Sequence, residues 1–203
     1  MTGAATGGEV DTALSADAAR PSRREQILRA AAQLFAERGS RSVGVDDVGA
    51  AVGVTGPAIY RHFASKDAML AEMLEGISRR LLDGGRERVA AAGPDPVAQL
   101  RALIAFQVDF ALDNPALITV QDRDLGSLSD DDAARVRRLQ RRYVEVWVEV
   151  LARLRPQEGT AASRARAHAV FGLVNSTPHS AGRVSRPQMA GLLATMAEAA
   201  ATA

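Results

Sequence analysis

Apolar residues recur along this chain with helical spacing and nowhere sustain a period of two. The clearest stretch opens at Ser22. Ile27, Ala31, Leu34 and Phe35 fall at i, i+4, i+7 and i+8, one stripe of a helix. Ser22 with Glu25 three residues on has the pattern of a capping box. Gly39 after Arg38 suits the position that ends a helix. A short helix over about Val45–Ala51 follows, with Val45, Val48 and Val52 turned inward together. Gly53 then supplies a turn and Val54 packs beneath it. Thr55 is placed to cap a third helix, and Pro57 falls in its first turn, where a missing N–H costs nothing. Ile59 and Phe63 point back to the core and leave the other faces free.

Longer helices fill the rest. Ser65 is placed to cap a helix from Lys66 to about Ala91, carrying Met69, Met73, Leu74, Ile77, Leu81 and Leu82. Gly93-Pro94 breaks it. Asp95-Pro96 reads as a cap and first-turn proline, opening a helix that ends near Asn114. A short helix spans about 115–125. Ser129 and three aspartates form an acidic first turn, which favours a helix N-terminus; that helix runs to Arg155. Its apolar face is Leu139, Tyr143, Val146, Trp147, Val150 and Leu154. Another helix covers about 160–176, where Pro178 intervenes. Ser185 and Gln188 repeat the capping-box pattern and open the last helix. The expectation is an all-α chain of about nine helices. It divides into a small, polar, aperiodic and disordered tail (1–21), a helix-turn-helix DNA-binding domain (22–65) and a larger helical ligand-binding and dimerisation domain (66–203).

Composition adds little to this and removes much. The 203 residues are 47% apolar and 24% charged, as in a globular protein with a real core. There is no cysteine, which excludes disulfides and thiolate chemistry. No apolar run approaches a membrane span, and the N-terminus lacks the basic and apolar regions of a secretory signal, so a cytoplasmic location without membrane association is expected. The net charge of +1 argues weakly against nucleic acid, but its distribution matters more. Residues 20–67 carry eight Arg/Lys against five Asp/Glu, a net +3, and the remainder carries −2. Enzyme readings find no support. There is no phosphate-cradling glycine loop and no HExxH, and the three histidines are scattered without metal-ligand spacing. No metal and no cofactor are expected.

The segment 22–66 meets the requirements of a helix-turn-helix DNA reader. Its second short helix must be small and smooth where it approaches base edges, and Thr55, Gly56, Pro57 and Ala58 satisfy that. Polar groups at the far end must grip phosphate, and Tyr60, Arg61, His62 and Lys66 are of that kind. Here the sequence resembles the tetracycline-repressor (TetR) family of bacterial regulators. The resemblance is carried by Ile27, Ala31, Leu34 and Phe35, by Gly39, by Val45-Asp47-Val48 and by Gly53-Val54-Thr55. Ile59-Tyr60-Arg61-His62-Phe63 and Ser65-Lys66-Asp67 complete it. It implies a homodimer with one reading head per subunit on a palindromic operator, a ligand chamber in the C-terminal helices, and release of DNA when a small effector binds. Two departures stand out. Gly44 stands where the family pattern usually has threonine, so Ser42 or backbone N–H groups must substitute. Gly56 stands where a lysine is frequent. The alternative reading is a helical interaction module or ligand carrier that never touches DNA.

The C-terminal helices offer candidates for the chamber. Phe106 and Phe110 lie four apart, as do Tyr143 and Trp147, and Phe171 lies on the penultimate predicted helix; each is a chamber wall or a core residue. Gln121, Asp122, Arg123 and Asp124 follow an apolar run, as do Asn175, Thr177 and His179, and these groups either orient a ligand head or solvate and cap helix ends. The arginines 135, 137, 138, 141 and 142 form a solvated face or attract an anion such as an acyl-CoA. The run from Leu117 through Trp147-Val148-Glu149-Val150-Leu151 loosely resembles TetR regulators that respond to acyl-CoA thioesters. Val170, Phe171 and Val174, with Leu192, Leu193 and Met196, form two apolar stripes expected to pair with a second copy as a four-helix bundle, or else to pack within one subunit.

Overall fold

The computed structural model describes residues 21–180 and 184–203; the expected disordered tail lies outside them, apart from Pro21. The elements are α1 (Arg23–Arg38), a 3-10 turn (Ser40–Ser42), α2 (Val45–Ala51), α3 (Gly56–Ile59) and α4 (Lys66–Ala91). They continue with α5 (Pro96–Asp113), α6 (Pro115–Asp124) running into a second 3-10 turn (Leu125–Ser127), and α7 (Asp130–Leu154). The chain closes with α8 (Gly159–Val174), α9 (Thr177–Ser180) and α10 (Arg186–Thr202). Among the described residues there is no strand. The single-turn α9 is the helix that the sequence pattern does not announce. Pro178 reads as an interruption, yet it occupies the first turn of a helix, where proline is harmless.

The helix boundaries have local causes. Glu25 N–H donates to Ser22 Oγ at 3.2 Å and Ser22 N–H donates to the Glu25 carboxylate at 2.7 Å, a complete capping box. Asp95 accepts from Val97 and Ala98 N–H ahead of α5. Ser65 and Ser129 accept from Ala68 and Asp132 N–H at the starts of α4 and α7. Two caps differ from expectation. Thr55 holds the N-cap position of α3, but its hydroxyl makes no capping bond. Ser185 donates to the Gln188 side chain at 2.8 Å and caps no backbone group.

α1, α2 and α3 close around Ile27, Ala31, Phe35, Val43, Val48, Ile59 and Phe63, all buried. α4 is shared. Its first turns bury Met69, Leu70, Met73 and Leu74 beside this small core, and its later turns bury Ile77, Leu81 and Leu82 against α5 and α7. One continuous apolar cluster therefore runs through the described residues. At 26 residues, α4 is ~39 Å long and spans both halves.

The two terminal stripes pack inward. Val170 and Val174 are 0% exposed and Leu193 is 4% exposed, because α8 and α10 bury these faces against α5, α7 and each other. They belong to the subunit core and, contrary to expectation, offer no surface for a second copy to cover. Phe171 is half-buried and turned toward Tyr143, with the rings stacked at 5.6 Å. Leu192 and Met196 lie on the opposite side of α10, 50% and 45% exposed. The neighbouring outer face of α8 is made of small exposed residues, Ala161, Ala165, Ala169 and Gly172.

Candidate nucleic-acid interface and adjoining pocket

The short α2–turn–α3 unit is compact because two glycines permit it. A Cβ on Gly49 would lie 2.8 Å from Val54 O and 3.2 Å from Gly56 N, both backbone atoms that cannot step aside. A Cβ on Gly56 would lie 1.8 Å from an Asp46 carboxylate oxygen. Gly56 is consequently buried, and it presents no surface of its own to a duplex. That corrects its reading as a contact residue: the residue at this point is small so that α3 can sit on the start of α2. The missing hydroxyl at Gly44 is compensated from the other direction. Gly44 N–H donates to the Asp47 carboxylate at 2.7 Å, which fixes the N-terminus of α2.

The remaining candidates fall on one end of the molecule. Ser42, Thr55, Pro57, Tyr60 and Arg61 are exposed, and Ala58, His62 and Lys66 are half-buried. Tyr60 is 56% exposed, unusual for a large aromatic side chain. α3 itself is one turn long; Tyr60, Arg61 and His62 continue it as turns, with His62 N–H donating to Ile59 O at 2.8 Å. Lys66 is partly committed elsewhere. Its ammonium donates to Val43 O at 3.0 Å and Arg41 O at 3.4 Å, tying the start of α4 to the segment that precedes α2.

Two arginines that sequence reasoning passed over brace this surface. Arg24 pairs with Glu72 on α4, donates to the His62 carbonyl and lies 4.3 Å over the Phe63 ring. Its hydrogen bond to Glu72 holds the guanidinium more firmly protonated than usual, and the Glu72 charge adds to this. Arg23 donates to Val52 O at 2.7 Å and holds the α2–α3 turn. Both precede the apolar stripe on the first turn of α1, where sequence alone reads only solvated charge.

Behind the head lies a pocket of about 340 Å³ between α4, α5, α6, α7 and α8. Of the candidate ligand-binding residues, Gln121, Tyr143, Phe171 and Asn175 line it. Asp122, from the same polar run as Gln121, lines it too, as do Ser78, Gln107, Gln140 and His168, which the sequence pattern did not single out for it. Gln107 organises the wall: it accepts from Tyr143 Oη–H at 2.9 Å and donates to Asn175 Oδ1 at 3.0 Å. Burial pushes the Tyr143 phenol well above its ordinary value. Desolvation also raises Asp122, against the opposing charge of His179.

Five of the candidates lie elsewhere. Phe106 packs on Gly84, where a Cβ would lie 2.5 Å from its ring, and Phe110 lies under Arg80; this ridge of α5 faces α4 while Gln107 faces the pocket. Trp147 is 0% exposed and forms the layer behind, edge-on to Phe171 at 5.1 Å. Its indole N–H is the buried side-chain donor without a hydrogen-bond partner among the described residues. His179 is exposed on α9 and reaches the site only through its charge on Asp122.

Arg123 turns the other way, toward the head. It donates to Ala36 O at 3.2 Å and to Phe35 O, carbonyls in the last turn of α1, the second of which also accepts from Gly39 N–H at 2.8 Å. Its neighbour Asp124 is buried, accepts from Ser40 Oγ at 3.0 Å and pairs with Arg123 at 3.0 Å. Four consecutive residues of α6 are thus divided, Gln121 and Asp122 on the pocket and Arg123 and Asp124 on the head.

Residues 27–73 match the family described as bacterial regulatory proteins, tetR family, and residues 93–200 match a tetracyclin repressor-like C-terminal domain. The HTH-type transcriptional repressor KstR2 of Rhodococcus jostii (strain RHA1) is 34% identical over 131 residues, covering 64% of this chain and 63% of that protein. The match thus spans less than two thirds of that relative's length. Among solved structures, a TetR-family transcriptional regulator from Bordetella parapertussis 12822 superposes with a TM-score of 0.77 at 22% identity, covering 88% of this chain and 95% of its own. AibR in complex with isovaleryl coenzyme A and operator DNA superposes with a TM-score of 0.72 at 19% identity, covering 86% and 97%.

Proposed function

Since the chain belongs to the TetR family of bacterial regulatory proteins, we propose that it is a ligand-responsive transcriptional repressor that binds a palindromic operator as a homodimer. The observation that carries this is the braced, outward-facing end of the head. Thr55, Pro57, Tyr60 and Arg61 are exposed together, beside a turn held from behind by Arg23 and Arg24. Residues 22–65 are the DNA-binding part in this reading, and 66–203 hold the effector and the dimer contacts. Thr55, Pro57 and Ala58 approach base edges and the thymine methyl. Ser42, Tyr60, Arg61, His62 and Lys66 address phosphates and set the register on the duplex. The unspent hydroxyl of Thr55 is available because it caps nothing.

The dimer face in this reading is the outer side of α8 and α10, where small residues on one helix adjoin Leu192 and Met196 on the other. Two heads double the phosphate contacts, which offsets the weak charge of a single head. The effector is a small molecule, of acyl-CoA type, seated on Gln121, Tyr143, Phe171 and Asn175. KstR2 is a repressor by name and AibR carries isovaleryl coenzyme A together with operator DNA, and both support this reading. Coupling runs through α6. A ligand that shifts Gln121 and Asp122 acts on the same short helix that holds α1 through Arg123 and Asp124. It need only bind the conformation unsuited to DNA more tightly to shift the population. α4, shared by both halves, carries the head with it. A cytoplasmic protein without membrane association fits this role, and among the described residues no single helix is long and apolar enough to cross a membrane.

The test is binding of the full chain to the DNA upstream of its own gene, followed by fluorescence anisotropy over a range of salt. Tight, salt-sensitive binding to one palindromic segment is expected. A protein that binds no DNA sequence at low salt is instead the helical interaction module or carrier.

A further inference from the structure

The pocket's wall is rich in hydroxyl and amide groups, has one carboxyl at Asp122, and contains no lysine or arginine. A buried anion would lose its hydration there and meet neither a lysine nor an arginine, only the imidazole of His168 at the wall shared with a neighbouring depression. The cations stand outside. A shallower depression of about 200 Å³ is bounded by Arg137, Arg141 and Arg164 together with Gln140, Val144 and His168. The last three also line the pocket, so the two hollows share a wall. Arg137 and Arg141 lie one turn apart on α7, and both are exposed. Among the described residues neither has an ion-pair or hydrogen-bond partner. Arg164 on α8 is held by Glu145 at 2.6 Å.

We infer that Arg137, Arg141 and Arg164 form a phosphate-binding rim for an effector whose neutral, apolar arm lies in the adjoining pocket. A coenzyme A thioester has this construction, with an uncharged thioester inside and phosphates outside; a free carboxylic acid has the charge at the wrong end. Guanidinium groups suit phosphate because they donate in pairs along a planar edge. The carboxyl of Asp122 acts in the same sense, by repelling a buried carboxylate. This inference rests on the pocket being the effector site.

The probes are coenzyme A, which carries the phosphates without an acyl group, and pantetheine, which lacks them. Both are titrated into the full chain by calorimetry, with operator binding measured in parallel. Coenzyme A is expected to bind more weakly as salt rises, and pantetheine to bind about ten-fold more weakly than coenzyme A, or worse. The Arg137→Gln/Arg141→Gln variant is expected to lose about ten-fold in coenzyme A affinity while pantetheine and operator binding are unchanged. Equal binding of the two probes, unchanged coenzyme A affinity in the variant, or no coenzyme A binding at ~1 mM each overturns the rim. If wild-type operator binding persists in those cases, the regulator reading stands and the rim alone falls. If operator binding is absent while coenzyme A binds as expected, the regulator reading fails and the rim stands.

Discussion

Ser40 donates to Asp124 across 3.0 Å and 84 residues of chain, and both side chains are buried. The bond joins the turn after α1 to the end of α6. Removing one partner of a buried hydrogen bond leaves the other desolvated and unsatisfied. Asp124→Ala is therefore expected to cost about 1–3 kcal/mol, read from the denaturant midpoint. The local signature is faster hydrogen exchange over Ser40–Ser42 and the end of α1. Unchanged exchange there, with the melt unaltered, removes Asp124 as the link between pocket helix and head.

Arg61 and Lys66 separate two uses of a cation. Arg61 is exposed and its guanidinium makes no hydrogen bond or ion pair among the described residues. Arg61→Gln is expected to leave the melting temperature unchanged, weaken all DNA sequences alike and reduce the salt slope by about 1. Lys66 also holds Val43 O. Lys66→Gln is expected to lower affinity similarly and to destabilise the head by about 1 kcal/mol besides. A Lys66→Gln protein as stable as the parent reduces Lys66 to a simple phosphate contact.

Gln107 satisfies the buried Tyr143 hydroxyl and positions Asn175. Gln107→Ala strands that hydroxyl and is expected to cost about 1–3 kcal/mol. Combining it with Tyr143→Phe removes the stranded group, so the double variant should recover part of the loss. Strict additivity in thermal unfolding speaks against a shared network.

Spacing and caps told the helices apart because they are local. Ser22 with Glu25, Ser65, Asp95 and Ser129 each act within three residues of themselves. The exposed end of the head was legible for the same reason: the turn glycine, Thr55 and the Tyr60–Phe63 run are contiguous. What failed depended on rotation of whole helices. Phe106 and Gln107 are adjacent in sequence, and only the seating of α5 on α4 decides that the amide meets the pocket and the ring meets Gly84. Val170 and Leu192 both belong to apolar stripes on neighbouring helices, yet one is core and the other surface. Amphipathic periodicity does not say which of two apolar faces is covered within the subunit. Arg23, Arg24 and Arg123 act over long sequence separations on backbone carbonyls, and no spacing rule marks an arginine for that.

Glu158 fastens the α7–α8 corner. It accepts from Arg166 at 3.0 Å and from Arg155 at 2.6 Å. The Arg166 bond, then the Arg155 bond, holds its carboxyl below the ordinary carboxylate value. A carboxyl lowered on folding adds stability above its unfolded value, and that contribution is lost as pH falls through the folded value. Glu158→Gln should therefore melt below the parent at neutral pH, with the gap closing on acidification below the ordinary carboxylate range. A gap that is constant down to that range shows packing and not charge to be its source.

Leu192 and Met196 are the large apolar side chains left uncovered on α10. A pair of such residues beside the small face of α8 is an expensive surface for a monomer to expose, since each buried apolar side chain contributes ~1.5–3 kcal/mol when covered. Because neither belongs to the subunit core, Leu192→Glu/Met196→Glu is expected to keep the helical content of the parent. Placed at a symmetric interface, the four introduced carboxylates would meet near the two-fold axis and repel. Sedimentation should then show a monomer, and operator affinity should drop by more than any single head substitution lowers it, because only one head engages at a time. A variant that sediments as a dimer places the association surface elsewhere and leaves this face of α10 without a partner copy. A monomeric variant with full operator affinity instead severs dimerisation from DNA reading. The two measurements together decide whether the outer face of α8 and α10 sets the spacing of the heads.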